Sequence, residues 1–241
     1  LAELEKLESF INRSPAVVFL WRAEPGWPVE FVSDNINQFG YEAADLMSGR
    51  VIWVNTLHPE DLPGLEAAVE KKREEGQREF SLTYRLYTAD QETRWVETRI
   101  LLINDGRGRL HQVQGIMLDI TERQRIETAL QAEQQRYQSL FTHAGASITY
   151  YDREGCLQMI NPAACRQLQR DAAYLTGRRL EDFLPLDQAA ATRQRLEEGL
   201  RQPATRTYED EWDLPGGPCW FMSTFTTIHD AQGQALGVQV V

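Results

Sequence analysis

The sequence has 241 residues, a formal net charge of −11, and 42% hydrophobic and 25% charged residues, an ordinary globular composition in a chain long enough for two domains. The acidic charge disfavours nucleic-acid backbones and anionic membrane surfaces, so we expect no nucleic-acid partner. No apolar run approaches the length that spans a bilayer, so we expect no direct membrane insertion of this segment. Leu1 is not a native start, which leaves an upstream signal or membrane span open.

The first half of the chain predicts one amphipathic helix, a hairpin, a block of helices and three long strands. Leu4, Leu7 and Ile11 recur at helical spacing within residues 1–13, and Pro15 helps to end that helix. The elements that follow are strands 16–21 and 29–33 around a turn rich in Gly and Pro, short helices 34–40 and 42–49, a longer helix 58–76, and strands 79–88, 94–104 and 109–120.

This order of elements predicts an α+β fold, in which a five-stranded antiparallel sheet carries helices on one face. The second half repeats the same order. Its predicted elements are a hairpin of 146–152 and 156–161, helices between 162 and 201, and strands 207–214, 219–230 and 235–241, with a turn at 215–218.

The two halves are also related residue by residue, at a constant offset of 125 positions. The matched pairs are Trp95 and Trp220, Asp105 and Asp230, Gly108 and Gly233, Val113 and Val238, Gln114 and Gln239, and Ile116 and Val241. A repeat of this length is a domain that buries its own core. We therefore predict an N-terminal helix at 1–13, a first domain at 14–121, a linker helix at 122–138, and a second domain at 139–241 that is truncated in its last strand.

The segment 120–141 between the repeats contains no Gly or Pro and is rich in Glu, Gln, Arg and Ala, which predicts one continuous helix. Within it, Ile126, Leu130, Tyr137 and Leu140 fit the a and d positions of a heptad pattern that Glu133 interrupts. The pattern covers fewer than three heptads. A seam between two copies of the chain and a helix packed on its own domain both remain open.

Several motifs of the first half occur in the order typical of one family. They are Asn35–Tyr41 ahead of Gly49, the helix start His58-Pro59-Glu60-Asp61, Tyr84-Arg85, Arg94-Trp95, and the closing Asp119-Ile120-Thr121-Glu122-Arg123. This half resembles a PAS domain with its S-box. The second half resembles a more diverged PAS domain, which keeps residues 159–170, Gly177 and Trp220 but lacks the His-Pro helix start and the Tyr-Arg pair.

The resemblance implies tandem sensory and dimerisation domains of a bacterial signalling protein. Such domains sit upstream of a histidine kinase of a two-component system, a cyclic-dinucleotide enzyme or a chemotaxis-type output. We therefore expect an input fragment that forms a homodimer through its flanking helices, with residues 4–11 as the best seam, and that acts on an effector domain elsewhere in the full-length chain. A ligand-free scaffold that only dimerises and spaces its neighbours is the alternative.

Alternation along the predicted strands indicates which side chains face the helices, where a PAS ligand would lie. In strand 94–104, Val96, Thr98 and Ile100 share one face, and Trp95, Glu97 and Arg99 share the other. The remaining pocket candidates are Leu82, Tyr84 and Leu86 on the preceding strand, Val113 and Met117 on the last strand, and Phe221, Ser223, Phe225 and Val238 in the second half. The same pattern also fits a filled core without a ligand.

The sequence leaves the cofactor unknown, including the possibility of none. The residues after Gly49 and Gly177 contain no cysteine at the position used by light-oxygen-voltage domains, so we expect no cysteinyl-flavin adduct. A non-covalent flavin remains open. Haem also remains open, because His58 lies near the longest predicted helix of the first half, although it belongs to the His-Pro-Glu-Asp helix start.

The junction between the last strand of the first half and the linker helix is the second candidate site. Asp119 is placed to cap the helix, and Glu122 follows three residues later as in a capping box. Asp119 would accept a hydrogen bond from a backbone N–H of the first turn, and Glu122 would bond back to the N–H of Asp119. We expect Asp119, Ile120, Thr121 and Glu122 to transmit a change in the sheet to the helix. An ordinary helix cap is the alternative.

Motifs for catalysis are missing from the sequence: it has no Gly-rich phosphate loop, no Cys-x-x-Cys or His-x-x-x-His pair, and no nucleophile elbow. We therefore expect this fragment not to be an enzyme and to hold no metal. Cys156, Cys165 and Cys219 are odd in number and lack metal-ligand spacing, which predicts reduced thiols in a cytoplasmic setting.

Overall fold

The structure is a computed structural model that describes residues 10–214 and 217–241. The chain divides into two compact units, Leu1–Leu130 and Gln131–Val241. Each unit contains one five-stranded sheet in which all paired strands are antiparallel, as the sequence predicts. The predicted N-terminal helix lies mostly outside the described residues, Leu4 and Leu7 included, and residues 10–12 are helical.

The first unit places its last strand in the middle of its sheet, because the strand order is β2-β1-β5-β4-β3. The strands are β1 (Ala16–Arg22), β2 (Val29–Val32), β3 (Glu79–Tyr87), β4 (Thr93–Asn104) and β5 (Leu110–Asp119), and the helices are α1 (Ala43–Met47) and α2 (Leu62–Glu74), with 3-10 helices at Asp34–Phe39 and Trp53–Thr56. The predicted elements of this half are therefore present, with small shifts at their ends.

Helix α2 begins four residues later than the predicted start at His58. The backbone N–H of Asp61 donates to the carbonyl of His58, so residues 58–61 form a turn ahead of the helix. Pro63 lies in the first helical turn, where its missing N–H has no cost, and Gly76 ends the segment with a positive φ of 72°.

The core of the first unit depends on aromatic packing over a glycine. The rings of Phe19 and Trp21 are stacked with centroids 4.7 Å apart, and both contact the ring of Trp53. A Cβ atom on Gly115 would lie 2.4 Å from the Trp21 ring, so only glycine fits beneath it. On β4, the side chains of Val96, Thr98, Ile100 and Leu102 are buried, which confirms the predicted inward face.

Helix α3 (Thr121–His143) begins one residue beyond β5, after Ile120, and runs through the predicted linker segment. The prediction of one continuous helix is confirmed. The four side chains of the heptad pattern, Ile126, Leu130, Tyr137 and Leu140, are between 55% and 65% exposed.

The second unit has the same topology as the first, with the order β7-β6-β10-β9-β8. Its strands are β6 (Thr149–Asp152), β7 (Leu157–Ile160), β8 (Arg206–Leu214), β9 (Gly217–His229) and β10 (Ala235–Val240), and its helices are α4 (Pro162–Leu168), α5 (Ala172–Leu175) and α6 (Leu186–Arg201), with a 3-10 helix at Leu180–Asp182. The predicted turn at 215–218 lies partly outside the described residues.

The register of the last two strands confirms the offset of 125 positions. Leu102 pairs with Val113 in the first unit, and Thr227 pairs with Val238 in the second. The connecting turns also match: Asp105 Oδ1 accepts from the N–H groups of Arg107 and Arg109, and Asp230 Oδ1 accepts from those of Gln232 and Gln234. Gly108 and Gly233 complete the turns with φ of 78° and 81°.

Within residues 10–214 and 217–241, no helix combines the length and the apolar character that crossing a membrane requires.

Candidate functional site

The first unit contains a cavity of about 70 Å³ between α2 and the sheet. Five of the eight side chains predicted for this pocket line it: Leu82, Tyr84, Thr98, Ile100 and Val113. The other three, Leu86, Val96 and Met117, are buried in the same core but do not reach the cavity.

Three tryptophans that the sequence analysis missed also line this cavity. Trp21 comes from β1, Trp27 from the turn after it, and Trp53 from the second 3-10 helix. The sequence contained a signal for them, since three tryptophans within 33 residues flank a predicted hairpin and the helices after it. Their meeting point depends on the non-local pairing of β1 with β5, which the sequence pattern alone does not supply.

Helix α2 covers the cavity without being packed tightly against the sheet. None of its 13 residues is fully buried. The three apolar side chains that it contributes to the cavity wall, Leu62, Leu65 and Val69, are each only half-buried. Because apolar burial holds a surface helix in place, α2 is weakly held over the cavity.

The buried polar groups of the cavity wall are uncharged, and the one charged residue in the wall, Glu66 of α2, is exposed. The hydroxyls of Tyr84 and Thr98 are hydrogen-bonded at 2.8 Å, and burial raises the pKa of Tyr84 to about 12. The indole Nε1–H of Trp21 is buried and has no hydrogen-bond partner among the described residues. A buried donor without a partner is uncommon in a folded protein and needs a physical explanation.

Trp27 lies on the cavity wall in a backbone conformation that bulky residues rarely adopt. Its φ is 48°, in the left-handed region, and its backbone N–H donates to the carbonyl of Glu24 at 3.0 Å. A tryptophan in this region has a strained backbone, and strained residues cluster at functional sites.

An ion pair ties the start of α2 to β3. Arg85 donates to both oxygens of Asp61, from Nη2 to Oδ1 at 2.6 Å and from Nε to Oδ2 at 3.0 Å, and its backbone N–H donates to Oδ2 at 2.8 Å. Glu60 accepts a further bond from the guanidinium at 2.9 Å. The hydrogen bond from Arg85 is the main reason that the pKa of Asp61 lies below its usual value.

The same guanidinium extends the contact towards the linker helix. Arg85 Cζ lies 5.6 Å from the centroid of the Trp95 ring, within the range of a cation–π interaction. Trp95 is paired with Arg85 across β3 and β4.

The strand-to-helix junction is held by the backbone of Trp95 and by two side chains. The N–H of Trp95 donates to Thr121 Oγ1 at 2.9 Å, and its carbonyl accepts from the N–H of Ile120 at 2.8 Å. Asp119 Oδ1 accepts from the N–H of Thr121 at 2.8 Å, as the capping prediction requires. Arg94 lies 3.8 Å from the other oxygen of Asp119.

The other half of the predicted capping box is wrong. In the described part of the chain, the carboxylate of Glu122 makes no hydrogen bond to the N–H of Asp119, and Glu122 is exposed. The reason is the helix start: α3 begins at Thr121, so Glu122 is the second helical residue, whereas a capping box uses the third. The hydroxyl of Thr121, 4% exposed, makes the second contact instead.

The second unit contains a larger cavity of about 410 Å³. Phe221, Ser223 and Phe225 line it as predicted, whereas Val238 is buried in the core and does not. The wall also includes Trp212 and Tyr151, and it reaches Val241 at the end of the chain. Burial raises the pKa of Tyr151 to about 12.

The roof helix of the second unit is fixed more firmly than α2. Arg195 of α6 makes a two-pronged ion pair with Asp210 of β8, one hydrogen bond of which measures 2.7 Å. Thr227 Oγ1 donates to the carbonyl of Gly199 at 2.9 Å. Four residues of α6 are buried: Ala189, Thr192, Leu196 and Gly199. The hydrogen bond from Arg195 lowers the pKa of Asp210 below its usual value.

One buried asparagine in each unit connects the residues before the sheet to the sheet, and the sequence analysis gave neither a role. Asn35 Nδ2 donates to the carbonyls of Ser14 and Ala16, both at 2.8 Å. Asn161 Nδ2 donates to the carbonyls of Ala146 at 2.9 Å and Phe141 at 3.2 Å. Both follow the second strand of their unit, so their matching positions after a hairpin were a usable signal.

Neither cavity has a histidine or cysteine in its wall among the described residues. The ring of His58 lies against the ring of Tyr87, with centroids 5.3 Å apart, outside the cavity. The described residues contain no group of three or more His, Cys, Asp or Glu side chains that could hold a metal ion. The three cysteines are free thiols.

Family comparisons agree with this architecture in both units. The profile described as PAS fold matches residues 29–117, and a second profile of the same description matches residues 141–241.

The proteins similar to the chain include two curated sensors and a solved structure. A methyl sulfide methyltransferase-associated sensor of Methanosarcina acetivorans is 45% identical over 122 residues, which are 51% of this chain and 12% of that protein. The two-component sensor PprA of Pseudomonas aeruginosa is 28% identical over 239 residues, which are 98% of this chain and 26% of that protein. A sensory box histidine kinase/response regulator structure from Burkholderia thailandensis, 22% identical, covers 57% of this chain and 99% of its own, with a TM-score of 0.44. The chain thus spans about a quarter or less of the curated relatives it matches.

The Asp61–Arg85 ion pair predicts that the stability of the first unit depends on pH. Replacing Asp61 with Asn should lower the urea midpoint of the first unit at pH 7, because the lowered pKa of Asp61 means that the folded state favours its charged form. The ion pair makes its full contribution to the free energy of unfolding above pH 3.8, the usual pKa of the carboxyl. That contribution is lost as the pH falls through the lower pKa that Asp61 has in the folded state. The difference between variant and wild type should therefore vanish in strong acid. An equal difference at pH 7 and in strong acid would contradict the ion-pair account.

Proposed function

Because the chain belongs to the PAS family, with one PAS domain in each unit, we propose that it is the sensory input and dimerisation region of a larger signalling protein. It detects a small ligand, a cofactor state or a partner, and it passes the change along its helices to an effector in the full-length chain. A histidine kinase or a cyclic-dinucleotide enzyme is the proposed class of effector, and the similarity to a two-component sensor supports the first. The fragment itself consists mainly of sensory domains.

One observation carries this proposal: the strand that lines the cavity is also the strand that holds the linker helix. Thr98 and Ile100 of β4 line the cavity of the first unit. Trp95 of the same strand bonds to Ile120 and Thr121 through its backbone. A ligand that shifts β4 therefore shifts the start of α3, without requiring any further moving part.

The junction gives a test that separates signalling from helix capping. Replacing Asp119 with Ala removes the bond to the N–H of Thr121, which should cost the folded fragment about 1 kcal/mol, as for an ordinary cap. In the full-length protein the same change should alter effector output at least several-fold. Output is measured as effector activity with and without stimulus, and stability by urea unfolding of the fragment.

The matched control for Asp119 is Glu122→Ala, three residues away on an exposed position without the predicted bond. It should leave output unchanged and cost less stability than Asp119→Ala, because the Glu122 carboxylate only interacts with the N-terminal end of the helix dipole. If Asp119→Ala lowers effector output no more than it lowers the folded fraction of the protein, the residue is only a cap. That result is expected for a ligand-free scaffold.

Dimerisation through the flanking helices is the second part of the proposal. The exposed seam of α3, formed by Ile126, Leu130, Tyr137 and Leu140, has the heptad spacing of a two-helix contact. The N-terminal segment 4–11 remains the other proposed seam and lies mostly outside the described residues. A second copy of the chain is the proposed occupant of both.

A charge placed on this seam should separate the copies. Leu130→Glu brings two carboxylates together at an a position, so it should weaken dimerisation at least tenfold, as measured by sedimentation equilibrium. Gln135→Glu adds the same charge on the opposite face of α3, where every neighbouring position is exposed, and should leave the oligomeric state unchanged. Equal effects of the two variants, or none, would argue against this seam.

A cytoplasmic location is also part of the proposal. It rests on the three free thiols, which suit a reducing compartment.

A further inference from the structure

Asn161 of the second unit uses every hydrogen-bonding position of its side chain. The residue follows β7 directly and is 0% exposed. Its Nδ2 group donates to the carbonyls of Phe141 and Ala146. Its Oδ1 atom accepts from the backbone N–H groups of Ile148 at 3.0 Å and Ala164 at 2.9 Å. An asparagine side chain offers two donor hydrogens and two acceptor lone pairs, so none is left over.

These four bonds join the ends of three elements. Phe141 lies in the last turn of α3, where backbone carbonyls have no partner within the helix. Ile148 directly precedes β6, and Ala164 lies in the first turn of α4, for which Asn161 is the N-cap. A shift of the end of α3 must therefore move this side chain or leave buried polar groups unpaired, which is costly.

Helix α3 is attached at its two ends and is bare between them. Its start is held by the backbone of Trp95 and by Asp119. Every residue from 125 to 140 is exposed, and the segment 120–141 contains no Gly or Pro. Because backbone hydrogen bonds join each turn of a helix to the next, a displacement of the first turn is carried along the helix to its end.

The groups that Asn161 holds also belong to the wall of the second cavity. Ala146 and Ala164, bonded to its Nδ2 and Oδ1 atoms, both line that cavity. Two neighbouring wall residues, Ser147 and Gln167, are hydrogen-bonded to each other through their side chains. A displacement of Asn161 therefore changes the shape of this side of the cavity.

The first unit has a related arrangement at the matching place in its fold. Asn35 follows β2, is 7% exposed, and donates from Nδ2 to the carbonyls of Ser14 and Ala16. The same group lies 3.4 Å from the carbonyl of Ile11, in the helical residues 10–12 that precede the sheet. Both units thus use one buried asparagine to hold the segment that enters them.

We propose that Asn161 is the positioning residue through which α3 conveys the state of the first unit to the second, so that the two units act in series. This rests on the proposed sensory function and adds the route between its two domains. The first sheet moves the start of α3, the end of α3 moves Asn161, and Asn161 moves β6, α4 and the cavity wall of the second unit.

Amide hydrogen exchange in the 241-residue protein tests this route. Asp119→Ala frees the start of α3 and should change the exchange rates of the β6 and α4 amides at least threefold. In a protein that carries Asn161→Ser, the same Asp119→Ala change should leave those rates unaltered. Serine is also a good N-cap, so α4 retains its first bond, whereas the shorter side chain does not reach Phe141 or Ala146. If Asn161→Ser unfolds the second unit, Asn161→Asp replaces it, because it retains the size of the side chain and the accepting oxygen but lacks the two donors.

Two further backgrounds separate the route from a general loss of stability. Thr227→Val removes another buried hydrogen bond of the second unit, to the carbonyl of Gly199 in α6, and the response to Asp119→Ala should persist there. Ala132→Pro interrupts α3 at an exposed position between its ends, and the response should disappear. The proposal is overturned if Asp119→Ala alone has no effect on β6 and α4. It is also overturned if the response survives in the Asn161 variant or in Ala132→Pro, or is lost equally in Thr227→Val.

Failure of this route is distinguishable from failure of the sensory function. Exchange in the 241-residue protein measures the route, and effector output in the full-length protein measures the function. If the exchange response survives in the Asn161 variant while Asp119→Ala alters output, the route through Asn161 is rejected and the function stands. If exchange responds as predicted while neither Asp119→Ala nor the Asn161 variant alters output, the function is rejected and the route stands.

Discussion

The two backbone hydrogen bonds of Trp95 are the constraint on which the first unit depends. They fix Ile120 and Thr121 to β4, and so they fix the first turn of α3 to the sheet. Residues farther along β4 line the cavity. The ring of Trp95 lies against the guanidinium of Arg85, which anchors the start of α2. One strand thus lines the cavity, holds the linker helix and reaches the start of the roof helix through Arg85 of β3.

The two units use one scaffold with different chemistry at equivalent positions. Val96 and Phe221 are related by the offset of 125 positions, and their partners on the neighbouring strand are Tyr84 and Asp210. Tyr84 and Asp210 therefore occupy equivalent places in the two sheets. In the first unit this position holds a neutral phenol that bonds within the sheet to Thr98. In the second it holds a carboxylate that bonds to Arg195 of the roof helix. The sheet therefore retains the second roof helix directly, whereas the first is held mainly at its start, through Asp61.

The sequence was sufficient for the features that depend on local pattern. Alternation along β4 identified its inward side chains, and the repeated turn at Asp105 and Asp230 identified the duplication, because both follow from spacing along one chain segment. The start of α3 was misjudged by one residue, which was enough to misplace the role of Glu122. The indole wall of the cavity was missed because it is assembled by the pairing of β1 with β5, which are nearly a hundred residues apart. In the second unit, Glu209 and Glu211 of β8 are exposed, while Tyr208 and Trp212 face inward.

Hydrogen exchange at the start of α3 tests the central claim most directly. The amides of Ile120 and Thr121 are bonded to the Trp95 carbonyl and to Asp119, so their exchange rates report the junction itself. Replacing Leu82, which lines the cavity, with Trp should change these rates several-fold and leave the amides of α6 in the second unit unchanged. Unaltered exchange at both amides in a folded Leu82→Trp variant would contradict the account.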